Sequence, residues 1–351
     1  MDLVRKRLED EEETGVAGEP AAKPIARPNE VTRIYRIEPE PRATFEATFR
    51  AIFPKLRPIH DAFREDGVLV VAARPKGPIE AYLHLPVRDE GGAFAVVGRH
   101  DRCGLVLREE GISLRHALVR ATATSRSELR LRLIDLQSGT AFRTEDDLAC
   151  KSVVAEGPLF VSAAGYQLFF LPTGALGPGA FSADPKQTWQ SFPERVYLDR
   201  RVPDRMVSGA YPAARTGAVQ ISRRSTVTTI LPGAESLRAR PSAGGLALAT
   251  IRLQVGGSQL AHRVSSDDLD RGVLIGRYER CQLAGDDRSL SRVHLVLLRD
   301  EDGVWAVDTA SRNGTHIGGR SVVAVALDRE LELHLANTMT LRWVPERHAQ
   351  A

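Results

Sequence analysis

The stretch AVVGRHDRC at 95–103 returns as VLIGRYERC at 273–281. Gly98 and Gly276, Arg99 and Arg277, Arg102 and Arg280, and Cys103 and Cys281 each stand 178 positions apart. At the same offset Ser113 falls on Ser291 and His116 on His294. Six coincidences in one register mark a duplicated domain, which constrains the fold before any composition is weighed. A chain of 351 residues has room for both copies and connecting segments.

Residues 1–30 are charged and interrupted by Ala, Gly and Pro, the composition of a disordered tail. Within 31–75, PRATFEATFRAIFP places Phe45, Phe49, Ile52 and Phe53 at i, i+4, i+7 and i+8. This predicts a short helical segment stopped by Pro54, its apolar stripe packed on a neighbouring domain. A partner-binding helix is the second reading. From 76 the period becomes two: Leu129, Leu131 and Leu133 alternate with Arg130 and Arg132, a half-buried strand. HLVLLRDEDGVWAVD reads as a hairpin around Asp302-Gly303, and KSVVA, YQLFFL, RSVVAVAL and TMTLRWV read as further short strands. The prediction is an all-β chain of two β-sandwiches, at 76–173 and 247–351. The segment 174–246, rich in Pro, Gly, Ser, Ala and Arg, reads as a long linker, partly ordered at most.

A net charge of +3 argues against a dedicated nucleic-acid binder, although 42 of the 48 basic residues are Arg, as only six are Lys. A coding bias is the ordinary explanation for that imbalance. Three cysteines without a Cys-x-x-Cys pair predict neither a zinc site nor a disulfide framework; Cys103 and Cys281 read as small buried hydrophobes in a reducing cytoplasm. No apolar run reaches the roughly 18 residues of a membrane span, and MDLVRKRLEDEEETG lacks the apolar core of a signal peptide. The expectation is a soluble cytoplasmic protein with no membrane partner. Nucleotide-binding, hydrolase, metalloprotease and kinase motifs are missing, so no enzyme and no cofactor are expected. Asp267-Asp268 and Asp286-Asp287 read as solvated turns rather than acid/base pairs.

In the second copy four features follow in order: Gly276-Arg277, Ser291-Arg292-Val293-His294, Asp308, and Ser311-Arg312-Asn313-Gly314-Thr315. Thirteen residues separate Arg277 from Ser291, and 18 separate His294 from Asn313. This ordered set resembles the forkhead-associated (FHA) family, whose signature is Gly-Arg, Ser-x-x-His and Asn-Gly-Thr. The resemblance covers about 247–346 well and about 77–173 less well. It implies a sandwich whose loops bind a phosphothreonine peptide, a mode of recognition in which Arg clusters meet phosphate. Chemistry suits the residue types. Phosphothreonine carries nearly two negative charges and three acceptor oxygens; Arg277 can meet it with charge-assisted bonds, and Ser291 can add a hydroxyl. By the family pattern Asn313 bonds the peptide main chain, while the neighbouring Arg292 and Arg312 add charge or read flanking residues. Plainer readings stand beside these: Gly276 permits a tight turn, Asn313-Gly314 is also a strong turn signal, and His294 braces loops, with no second ligand for a metal.

The first copy keeps Gly98, Arg99, Ser113 and His116 but reads DLQSGT where the second reads DTASRNGT. Arg and Asn are gone, and the offset falls to 314 − 139 = 175, so an intervening hairpin is longer in the first copy. Arg99 and Ser113 form a second phosphate site, or the copy binds differently or serves packing or dimerisation. In the linker, ISRRSTVTTILPG offers Thr226, Thr228 and Thr229 after a basic pair, with Leu231 three beyond Thr228. Phosphorylated, these could dock on the protein's own FHA sites at high effective concentration; an ordinary Ser/Thr-rich linker is the plainer reading. The expectation is a non-enzymatic adaptor joining a Ser/Thr kinase to a phosphothreonine partner. The alternative is a constitutive scaffold without phosphate dependence.

Overall fold

Gly67–Ala73, Leu129–Asp135 and Tyr166–Thr173 are buried on both faces, whereas Ala247–Val255 and Met339–Pro345 alternate buried and more exposed positions, and the chain stacks four sheets. The computed structural model describes residues 43–88, 91–124, 128–177, 181–200, 229–230 and 237–346, all within one unit, Arg42–Ala351. The expected tail 1–30, and Thr226 and Thr228, lie outside the described residues.

The first sandwich has an outer sheet in the order Ile79–Pro86, Gly67–Ala73, Tyr166–Thr173, Leu159–Ala163, Phe142–Arg143, Ala149–Cys150. Its inner sheet runs Tyr197–Asp199, Ser152–Glu156, Leu129–Asp135, Ala117–Ala123, Ala93–Gly98, Leu105–Val106. The second sandwich has an inner sheet of Leu237–Ala239, Leu283–Gly285, Val273–Gly276, Leu295–Asp300, Gly303–Asp308 and Ala324–Ala326. Its outer sheet holds Ser258–Ser265, Ala247–Val255, Met339–Pro345 and Leu331–Leu335, with short strands at the edges. Each sandwich has its own core, around Leu131 and Phe170 in the first and Leu297 and Trp343 in the second. The duplication holds in the pairing. Val97 sits beside Leu105 and Gly98 beside Val106 in a parallel pair, as Ile275 sits beside Leu283 and Gly276 beside Ala284.

The helix expected to end at Pro54 runs Phe45–Ala62, through both Pro54 and Pro58. Each proline removes a backbone bond, but both face solvent, while Phe45, Phe49, Ile52, Phe53 and Leu56 are buried. Tertiary burial holds the helix against its local breakers. Its stripe packs on the outer sheet of the first sandwich and against Phe181, Trp189 and Phe192. The first sheet also begins at Gly67 rather than 76.

Part of the segment read as linker is integral. Tyr197–Asp199 extends the first sandwich, and Thr229–Ile230 and Leu237–Ala239 extend the second. Strands of two or three residues leave no periodicity to read. Asp268 is likewise not a solvated turn: it is buried, forms a capping box with Ser265, and accepts from the Ala243 N–H and Gln282. No helix among the described residues is long and apolar enough to cross a membrane.

The two inner sheets face one another. Val96, Leu118, Ile134 and Leu136 meet Leu274, Val293, Val296 and Leu298, with Cys103 and Cys281 in the same cluster. Both cysteines are free and buried; each thiol donates to a carbonyl, and burial pushes Cys281 up to about 12, an unreactive thiol. The polar face of Leu129–Asp135 is therefore not solvated as expected. Arg130 and Arg132 point into this interface, where Asp300 accepts from Arg120 (3.0 Å) and lies 3.8 Å from Arg130 and 4.0 Å from Arg200.

Three histidines, His116, His262 and His294, are buried and held neutral, their pKa values lowered by burial. The unfolded chain takes up these protons first, near 6.5. Stability is therefore full above that pH and falls as pH drops below it, by up to about 1.4 kcal/mol per pH unit per residue. Urea midpoints measured at pH 7.5 and 5.5 should show the drop; equal midpoints would contradict it.

Candidate functional site

The repeated Gly-Arg closes the third core strand of each copy. A Cβ on Gly276 would lie 2.4 Å from the Arg292 carbonyl oxygen, and one on Gly98 would lie 2.5 Å from that of Leu114. Glycine stands here because another backbone passes too close for a side chain. The next residue turns outward. The Arg277 N–H donates to the Ser291 carbonyl (2.9 Å), as the Arg99 N–H does to Ser113 (2.9 Å).

In the second copy the three loops are tied to one another. The Ser291 N–H donates to Nδ1 of His294 (3.3 Å), so Nε2 carries the proton and donates to the Gly314 carbonyl (3.1 Å). Neutral His294 thus ties one loop to the other. Asp308 begins the last loop by accepting from the Ser311 N–H (2.6 Å), the Ser311 hydroxyl and Thr315. Ala310 and Gly314 take positive φ of 58° and 76°. The Arg312 N–H then reaches the Ser291 hydroxyl (2.9 Å), and the Asn313 amide donates to the Ser289 carbonyl (2.7 Å). Arg277, Arg292, Arg312 and Asn313 are exposed. Among the described residues the guanidinium groups of Arg277, Arg292 and Arg312 make no ion pair or side-chain hydrogen bond. A positive cluster is therefore held in place with its donors unspent.

The first copy starts the same loop and stops short. Asp135 accepts from the Ser138 N–H (2.9 Å), and Gln137 repeats the positive φ, at 63°. The offset across this point is 308 − 135 = 173, against 178 upstream, so the preceding hairpin is five residues longer in the first copy and the loop two shorter. Those two residues are Arg312 and Asn313. Without them the loop folds onto Ser113, whose hydroxyl donates to the Ser138 carbonyl (3.2 Å). His116 still accepts from the Ser113 N–H, but among the described residues its buried Nε2 has no partner, since the carbonyl of Gly139, the counterpart of Gly314, makes no bond to it. Arg99 is exposed beside this closed loop.

Two residues that the motif reading missed support the site from the first copy. Arg115 Nε donates to the Thr309 carbonyl (2.6 Å) and the guanidinium also reaches Ala310; Arg102 donates to Ser311 (2.9 Å) and Arg312. Four successive carbonyls of the loop that leads to Asn313 are held from behind by the other copy. Arg102 belonged to the repeat, yet only folding could show where it points. A cleft of about 340 Å³ opens between the copies, lined by Arg277, Ser291 and Arg312 on one side and His100, Ser113 and Ser138 on the other.

Fold and loop cluster define a β-sandwich binding module with a cationic end. A family model for the FHA domain matches residues 273–336, and the second copy is an FHA domain. None of the curated proteins matches the chain. Among solved structures, similarity extends to FHA-1 of Mycobacterium tuberculosis Rv1747, at 23% identity over 29% of this chain and 100% of that one, with a TM-score of 0.24. Slr1951 from Synechocystis sp. follows at 19% identity over 29% and 100%, with a TM-score of 0.26. Mycobacterium tuberculosis EmbR, in complex with a low affinity phosphopeptide, is 18% identical over 29% of this chain and 26% of that one, with a TM-score of 0.24.

Proposed function

We propose that the FHA domain binds phosphothreonine peptides and that the protein is a non-enzymatic adaptor, joining a Ser/Thr kinase to its effector. The observation that carries this reading is an exposed Arg277, without an ion pair among the described residues, beside a Ser291 and an Arg312 N–H that are braced by His294. Arg277 forks onto phosphate oxygens, and Ser291, whose hydroxyl already accepts from the backbone, donates its own proton to the same group. Asn313 keeps its side-chain oxygen for the peptide main chain. Arg292 and Arg312 add charge. Arg99 and Ser113 are a poorer site, because the Ser113 hydroxyl is already given to Ser138.

The buried contact between inner sheets favours a scaffold role for the first copy specifically: it packs on and clamps the second copy rather than offering a phosphothreonine site of its own. Self-docking of the linker rests on Thr226, Thr228 and Thr229, the last of which lies in a strand whose backbone pairs with Ala261. Mass spectrometry after kinase treatment tests it, and an unphosphorylated segment ends it. The main reading is tested with a phosphothreonine peptide library on the full chain. Phosphothreonine peptides should bind at least about tenfold better than their unphosphorylated twins, as 1.4 kcal/mol from a charge-assisted bond requires. Equal binding by both would refute it.

A further inference from the structure

The cleft between the copies holds more positive charge than one phosphate needs. Besides Arg277 it is lined by Arg280, Arg288, Arg292 and Arg312, all exposed, and by no Asp or Glu. Arg115 also lines it but is already committed to the Thr309 and Ala310 carbonyls. Arg280 lies over the Tyr278 ring at 5.5 Å, and its Nη1 would stand 4.0 Å from a Cβ placed on Gly139. It therefore spans from the second copy to the shortened loop of the first. Arg288 makes no hydrogen bond or ion pair among the described residues. Exposed arginines kept together without carboxylates repel one another, and an anion between them removes that cost.

We propose that this cleft is a second anion subsite, built by both copies, that takes another acidic group on the same peptide whose phosphothreonine sits at Arg277. It rests on the phosphothreonine reading. Arg280 and Arg288 hold the second group, while His100, Ser113 and Ser138 form the far wall. Phosphate and carboxylate share the chemistry required, and the first copy thereby becomes part of the specificity of the second.

Three fluorescein-labelled peptides test this on the full chain: one phosphothreonine with alanine flanks, the same with glutamate flanks, and one with two phosphothreonines. Wild type should bind one or both of the more acidic peptides at least about tenfold more tightly than the alanine-flanked one. Which of them gains tells carboxylate from phosphate. In Arg280→Ala and Arg288→Ala that ratio should fall towards one. A wild-type ratio of one, or a ratio that survives both substitutions, overturns the subsite while leaving the phosphothreonine site standing. Binding of none of the three peptides defeats both. A single-stranded oligonucleotide that binds more tightly than the acidic peptides, and is weakened by the same substitutions, would assign the cleft to nucleic acid instead and also overturn the proposal.

Discussion

Arg277→Ala should weaken phosphothreonine-peptide binding by about 10- to 150-fold, the effect of losing 1.5–3 kcal/mol of charged hydrogen bonding. The fold should not notice. The side chain is exposed and makes no bond among the described residues, and what Arg277 gives the fold is its backbone N–H on Ser291, which alanine keeps. Arg99→Ala, at the equivalent place in the first copy, should leave affinity within twofold of wild type, because the Ser113 beside it is occupied by Ser138. Fluorescence anisotropy on both variants, with thermal melts as the check on folding, decides the matter. A loss that follows Arg99 instead would move the site to the first copy.

Asp300→Ala should destabilise the protein by about 1–3 kcal/mol, the usual cost of leaving buried donors without one of their acceptors. Arg120, 1% exposed, donates to Asp300 and lies over Trp305 at 4.9 Å, and Arg130 and Arg200 approach the same carboxylate. Removing it takes a buried acceptor from all three, although Arg120 keeps Asp302, Arg130 keeps Glu301 and Arg200 keeps Asp270. Glu46→Ala is the contrast: its pair with Arg50 is an exposed i, i+4 contact at 3.6 Å, worth no more than about 0.5 kcal/mol. Urea unfolding of the two variants separates these scales. A shift for Asp300→Ala as small as that for Glu46→Ala would mean that the charged part of the interface contributes little.

The duplication was legible because its marks are local. Gly276 and Gly98 are fixed by a close backbone approach, and Asp308 and Asp135 each fold a loop that two residues of sequence distinguish. Alternation found the strands, and the ordered motif singled out Arg277, Ser291, His294 and Asn313, which lie on loops that the fold ties together. The sequence did not reveal what lies between the copies. Arg130 and Arg132 alternate with leucines as a solvated face would, and only the opposing sheet makes them buried. Arg102 and Arg115 act on carbonyls some 200 positions away, and no spacing rule connects them. Pro54 misled for the same reason: a local breaker was overruled by an apolar stripe whose partners, Phe181 and Phe192, come from a segment read as linker.

The central claim is that two fused sandwiches carry one competent phosphothreonine site. Isothermal titration of a binding phosphothreonine peptide into the full chain tests it most directly. One peptide per chain, abolished or strongly weakened by Arg277→Ala and insensitive to Arg99→Ala, is the result expected. Two peptides per chain, or one whose binding survives Arg277→Ala, would contradict it.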